Sequence, residues 1–250
     1  MPALERALDV IDLLASNDRD LSFSEILDSL NIPRPSLARI LKTLTDRGLI
    51  TKAGERGLYR LGMKLLYLGN RIESKLKLRS VALPFMQELS SKTEKTIELS
   101  TLDRDQLILI DQIEGNEGVR LFSRIGSAYP YFHALASGKI YLSHMEKEKR
   151  KDALNKIGIP KVTKHTITDV DQLEEELSII MKNGYAFEDQ ELREGVRRVV
   201  APIYDCHGGL AGCIGIASTI FSLKYEDREY LGRMVKEVAH KISSDMGAKQ

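Results

Sequence analysis

His133, Ser137, Glu188 and Cys206 are the residue types from which a nucleophile, a base and an acid are assembled. Ser137 stands in Ala136-Ser137-Gly138, outside any Gly-x-Ser-x-Gly elbow, and no glycine loop shaped for phosphate occurs. Hydrolase chemistry therefore has its residue types but not its spacing, and nothing calls for a cofactor. His133, Cys206, His207 and Cys213 are all zinc-type ligands, yet they include no Cys-x-x-Cys pair. Cys206 and His207 fall in a loop with Gly208 and Gly209, and Cys213 lies on an apolar strand, where it reads as a small core residue. Two cysteines in 250 residues build no disulfide framework and fit free thiols in a reducing cytoplasm.

A second set is basic. Residues 1–30 carry a balance of −5 and residues 31–64 one of +6, although the whole chain is only +1. Arg34, Ser36, Arg39, Lys42 and Thr43 share one stretch, and Lys52, Arg56 and Arg60 follow it. Arginine pairs bidentately with guanine, serine and threonine serve bases or phosphates, and lysine meets phosphate. Charge alone does not separate an anion-facing surface from ordinary scatter. The elements that carry these residues do.

Leu4, Ala7, Leu8, Ile11 and Leu14 recur at spacings of three and four and predict a helix over Ala3–Ala15. Ser22 and Glu25 form a Ser-x-x-Glu capping box, which starts a second helix with Ile26, Leu27 and Leu30 inward. Asn31-Ile32-Pro33 makes a tight connection, and Pro33 or Pro35 suits a first helical turn. The third helix runs over Arg34–Arg47, and Gly48 stops it. Its stripe of Leu37, Ile40, Leu41 and Leu44 leaves Arg34, Ser36, Ala38, Arg39, Lys42 and Thr43 on the opposite side. Leu49–Lys52 and Leu58–Leu61 are two short strands joined by a glycine-bearing turn, and this hairpin carries Lys52, Arg56 and Arg60. Three helices and a hairpin in this order are a winged helix-turn-helix, whose third helix fits the major groove of double-stranded DNA.

Beyond Gly62 a helical pattern runs to about Leu78 and reads as a linker. The remainder is an α+β domain. Helices are expected near Val81–Lys92, His133–His144, Lys147–Lys156, Val170–Lys182 (capped by Thr168) and Lys224–Met246. Strands are expected at Thr96–Leu102, Leu107–Ile113, Val119–Ile125, Tyr185–Glu188, Arg198–Tyr204 and Leu210–Ser218. The resulting division is 1–62, winged helix-turn-helix; 63–78, linker helix; 79–250, a second domain with a sheet and helices packed on its faces. An apolar fraction of 42% supports two such cores. No run of about 18 apolar residues calls for a membrane, and Met1-Pro2-Ala3-Leu4-Glu5 is not a signal peptide, so the expected place is the cytoplasm.

With these elements placed, the chain resembles the IclR family of bacterial transcription regulators from about Leu4 to Asp245. The likeness rests on Glu5-Arg6-Ala7-Leu8, the run from Ile32 to Leu41, and Tyr59-Arg60-Leu61-Gly62 in the first domain. In the second it rests on the run from His133 to Lys139, His165-Thr166-Ile167-Thr168-Asp169, the run from Gly184 to Glu191, and Gly195-Val196-Arg197. The resemblance implies a GAF/PAS-like effector domain and a homodimer, or dimer of dimers, on a palindromic operator, acting as repressor or activator. It also implies a pocket for a small effector, commonly a carboxylic or sugar acid. Carried over by position, its wall includes Ala136, Ser137, Glu188, Arg198, Gly215 and Ala217. Arg198 stands where small residues are common, and Gly215 and Ala217 where serines can occur. These departures suggest a roomier pocket with a cation inside, with Arg198 pairing either an anionic effector or Glu188. The rival readings are a regulator answering to a protein partner, and an enzyme built on the second domain.

Overall fold

The computed structural model of the chain describes residues 3–53, 57–73, 76–104, 106–116, 118, 121, 124–129 and 131–248. The chain divides into two compact units, Met1–Lys75 and Leu76–Gln250.

The first unit contains α1 (Ala3–Ser16), α2 (Phe23–Leu30), α3 (Arg34–Asp46), the hairpin β1 (Ile50–Ala53) and β2 (Leu58–Leu61), and α4 (Met63–Glu73). The capping box at α2 forms as its spacing dictates. The Glu25 amide donates to Ser22 Oγ at 3.3 Å, and the Ser22 amide donates to the Glu25 carboxylate at 2.7 Å. Asn31 ends α2 in the left-handed region, and Pro35 occupies the first turn of α3, where its missing amide costs nothing. The apolar stripes of the three helices meet in one cluster, with Val10, Leu14, Ile26, Leu37, Leu41, Leu44 and Ile50 buried. Gly48, at φ +71°, turns the chain from α3 into β1. A backbone bridge from Leu21 to Tyr59 ties the hairpin to the α1–α2 connection.

One expectation needs correction here. The helical pattern from Gly62 to Leu78 is not one helix. α4 ends at Glu73, Leu76 is extended at ψ 94°, and α5 (Lys77–Thr93) begins afresh. α5 is anchored by Leu78, Ala82, Met86 and Leu89 in the core of the second unit, whereas none of α4's described side chains is buried. The 3.6-residue period is thus met by two helices answering to different surroundings.

The second unit is built on a six-stranded antiparallel sheet in the order β5-β4-β3-β8-β7-β6. Its strands are β3 (Thr96–Asp103), β4 (Gln106–Ile113), β5 (Ala128–Tyr129), β6 (Ala186–Asp189), β7 (Val196–Tyr204) and β8 (Leu210–Thr219). Alternation sends Ile97, Leu99, Val199, Ala201, Ile214 and Ile216 to one face, under α5 and α9 (Arg228–Asp245). Leu107, Val200 and Cys213 pack on the other, with α6 (Ala136–His144), α7 (Lys147–Ile157) and α8 (Val170–Asn183).

Three further readings change. Of the expected strand Val119–Ile125, residues 119, 120, 122 and 123 lie outside the described residues, and Leu121, Arg124 and Ile125 are not in a strand. The expected helix from His133 is a 3-10 turn, Phe132–Ala134, then extended Leu135, then α6. α8 is capped by Asp169, whose carboxylate accepts from the Gln172 amide at 2.8 Å, and not by Thr168. Asp169 stands immediately before the first helical residue, where a side-chain oxygen reaches the third amide.

Candidate nucleic-acid interface and effector cavity

α3 separates its side chains as the stripe requires. Leu37, Ile40, Leu41 and Leu44 are buried; Arg34, Arg39, Lys42 and Thr43 are exposed, and Ser36 is half-buried. The Arg34 guanidinium lies 5.2 Å from the centre of the Phe23 ring, a cation–π contact that restrains it at the helix start. Thr43 Oγ1 donates to the Arg39 carbonyl at 2.9 Å, so toward a ligand it serves as an acceptor. On the hairpin Lys52 pairs with Tyr59, and Arg60 with Thr51. Lys52 and Arg60 are both exposed but, by the two-residue period, point to opposite faces of the hairpin. Arg56 lies outside the described residues.

In the second unit, strand pairing assembles a buried charge cluster. Glu188 on β6 faces Arg198 on β7, and Gly215 on β8 lies between Val200 and Glu98 of β3. Arg198 Nε donates to Glu98 at 3.1 Å and Nη1 to Glu188 at 3.2 Å. Glu188 also accepts from the Leu192 amide at 3.1 Å. Burial pushes the Glu188 carboxyl above its ordinary range, and Arg198 pulls it only partly back. Burial also works against the Arg198 charge, but Glu98 and then Glu188 outweigh it and hold the guanidinium above its ordinary value. Beside this cluster Lys139 of α6, fully buried, donates to Glu191 at 2.5 Å and lies 3.6 Å from Glu176.

Arg198, Glu98 and Gly215 border a small cavity, about 20 Å³, lined also by Ser100, Leu109, Tyr129, Leu135, Ser137 and Val200. That is room for about one water molecule. Of the expected wall, Ser137, Arg198 and Gly215 are present. Glu188 stands behind Arg198, and Ala136 and Ala217 are fully buried away from the lining. The structure does not show the roomier pocket expected from Gly215 and Ala217: the cavity is small, and Ala217 is no part of its lining. Glu98, Tyr129 and Leu135 were not foreseen; Glu98 and Tyr129 come from strands β3 and β5, distant in the chain from Arg198, and Leu135 from the start of α6. Larger hollows lie along α9, one of about 230 Å³ beside Tyr204, Lys236 and His240, but these are open and their cations exposed.

The other reactive types are dispersed. His133 Nε2 lies 2.9 Å from the Pro160 carbonyl, its Nδ1 is buried, and burial holds the ring below its ordinary pKa. Cys206 is exposed and Cys213 buried. Among the described residues no three metal-type ligands meet, and no helix is long and apolar enough to cross a membrane.

A three-helix head with a hairpin wing and an outward basic helix, followed by a curled antiparallel sheet with a small cavity beside Arg198, defines a DNA-binding transcriptional regulator with a GAF/PAS-like second domain. Comparison with known proteins agrees over both units. The family model described as "IclR helix-turn-helix domain" matches residues 3–54, and "Bacterial transcriptional regulator IclR C-terminal" matches residues 71–244. The regulator KdgR of Dickeya chrysanthemi is 28% identical over 92% of this chain and 75% of its own length. The glycerol operon regulatory protein of Streptomyces coelicolor is 30% identical over 98% of this chain and 96% of its own. The crystal structure of the Thermotoga maritima IclR superposes with a TM-score of 0.78 at 27% identity, covering 98% of each chain. The chain belongs to the IclR family, a family of transcriptional regulators and not of enzymes.

Proposed function

We propose that this regulator binds its operator as a homodimer, alone or as a dimer of dimers, and is controlled by a small anionic metabolite held at Ser137 and Arg198. The observation that carries the reading is an arginine only 6% exposed, beside the first turn of α6, lining a small cavity on the sheet. Arginine offers a carboxylate two parallel donors, and the first-turn amides over residues 136–138 favour the same charge. A carboxylic or sugar acid fits this chemistry. Arg34, Ser36, Arg39, Lys42 and Thr43 are proposed to meet the major groove, with Lys52, Arg56 and Arg60 reaching the backbone beside it.

The dimer reading is supported by apolar side chains left in the open on the first unit. Leu4 and Leu8 of α1, and Met63, Leu66, Tyr67, Leu68 and Ile72 of α4, are each at least 43% exposed. Two heads also match a two-fold operator. The change is proposed to travel through α4 and extended Leu76, with the coupling of about 1–3 kcal/mol typical of such switches. Work on chromosomal DNA puts the protein in the cytoplasm.

The test uses the full chain and an operator selected from random duplexes. Arg39→Ala should weaken specific binding by about 1–3 kcal/mol. The triple change Arg198→Met, Glu188→Gln and Glu98→Gln removes the guanidinium together with both of its carboxylate partners; it should keep operator affinity and lose the response to carboxylates. Wild-type affinity in both Arg34→Ala and Arg39→Ala would remove α3 from recognition. A full carboxylate response in the triple variant would remove the cavity from sensing.

A further inference from the structure

We infer that the bulge in β4 beside the cavity is the joint through which the switch is transmitted, and that the Asp111–Arg79 ion pair on its far side makes the start of α5 follow it. The inference rests on the effector reading above and names the side chains through which occupancy of the cavity leaves the sheet.

The first ground is the register of β3 against β4. Leu99 pairs with Asp111 and Ser100 with Leu109, so Ile110 is an extra residue on β4. An extra residue breaks the ladder locally and re-aims its neighbours. Directly opposed residues share one face of the sheet. Ser100 and Leu109 line the cavity. Leu99 is buried in the core under α5 and α9, with Ile110 in the same core, and Asp111 shares the face of Leu99. Between Leu109 and Asp111 the strand thus passes from the cavity wall to the far side of the sheet.

The second ground is what Asp111 holds there. Its side chain is only 6% exposed, and its Oδ2 lies 3.0 Å from Arg79 Nε. Its other oxygen accepts from the Gln112 amide at 2.9 Å, which fixes the carboxylate to β4. Arg79 stands in the first turn of α5, just past Lys75, where the first unit ends. Leu78, Ala82, Met86 and Leu89 of the same helix make apolar contacts, which are non-directional and tolerate sliding. Parting Arg79 from Asp111 would strand a buried carboxylate, which is costly, so the helix start moves with Asp111. A cavity of about 20 Å³ holds one water, and a carboxylic acid has to displace some of the lining. Ser100 and Leu109 stand where the ladder is already broken, and a shift there carries Asp111, and Arg79 with it. Neither Asp111 nor Arg79 belongs to the lining, so both are positioning residues.

The experiment measures operator binding and calorimetric carboxylate binding by the full chain, with acetate, propionate and benzoate as probes. In wild type a bound carboxylate should change operator affinity about fivefold or more, and operator should change carboxylate affinity by the same factor, because coupling is reciprocal. Asp111→Asn keeps the shape and the bond from the Gln112 amide but drops the charge. It should still bind both ligands, with each altering the other's affinity by less than about twofold. Arg79 has a further interaction of its own, so the perturbation begins at Asp111. Asp111→Asn with Arg79→Gln removes both charges of the pair; it should behave the same way, and it serves alone if the single variant does not fold. Arg150→Gln breaks another part-buried pair of the second unit, with Glu174, and should keep the full coupling. Wild-type coupling in a folded Asp111 variant would overturn the joint and leave the effector site standing. Coupling lost equally in Arg150→Gln would overturn it too, as would carboxylate binding that leaves wild-type operator affinity unchanged. No carboxylate binding by wild type would overturn both the joint and the effector reading.

Discussion

Replacing Lys139 by methionine should cost the second unit about 3–5 kcal/mol at neutral pH, the usual effect of removing one partner from a buried ion pair. Methionine has nearly the length of lysine, so little cavity is left, and the loss is electrostatic. Lys139 Nζ bonds Glu191, whose side chain is only 7% exposed, and lies farther from Glu176, which at 28% can turn to water. Glu191 would be stranded. Burial already pushes its carboxyl above the ordinary 4.5, with Lys139 pulling it back, so losing Lys139 raises it further. A carboxyl whose folded pKa exceeds its unfolded value withdraws stability as pH rises from the unfolded to the folded value. The deficit should therefore be full at pH 8 and shrink toward pH 5. For a unit of this size 1 kcal/mol moves the melting point by about 2–4 °C, so the pH 8 shift is about 6–20 °C by circular dichroism. Adding Glu191→Gln should restore most of it, since no lone charge then remains. A Lys139→Met midpoint within about 2 °C of wild type at pH 8, or an equal deficit at pH 5, would refute the reasoning.

Two other perturbations address the frame. Ser22→Ala should lower first-unit stability by about 1 kcal/mol, read as a lower urea midpoint; an unchanged midpoint would mean the cap is idle. Glu25 is held down at about 2, first by the Ser22 amide, then by its hydroxyl and Arg19. Its contribution should be present above pH 4.5 and lost as pH falls through 2, and Glu25→Gln should flatten that part of the acid limb. Fragment 76–250 should outlast fragment 79–250 in denaturant, because Leu78 is 7% exposed in the main core and Leu76 packs against it. Losing a leucine of this kind costs about 2–5 kcal/mol. Equal midpoints would show that the sensor begins at residue 79.

What could be read from the sequence was local. The stripe of α3, the Ser22–Glu25 cap and the Gly48 stop need only spacings of a few residues, and all three hold. Glu188 facing Arg198 was available as an alternative because a hairpin joins them. Glu98 was not, since it meets Arg198 across a hundred positions of chain, after β3 has found β8 and β8 has found β7. The break near Leu76 was hidden for another reason. Hydrophobic period reports what each stretch buries, and both α4 and α5 keep it; nothing in the period says that one helix ends and another starts.

The pairing of Thr96 with Ala217 on the two central strands has a consequence in time. The three-helix core and hairpin of the first unit close on neighbours, once Leu61 has paired with Ile50. The sheet cannot close until the chain past Thr219 has been made, and non-local pairings of this kind form slowly. At about 5–20 residues per second of synthesis, the DNA-binding head precedes its sensor by about 10–30 s. Protease digestion of chains stalled on the ribosome would show this as a resistant head ahead of a sensitive remainder; equal resistance would contradict it. Each newly made regulator thus has a folded head before it has anything with which to sense.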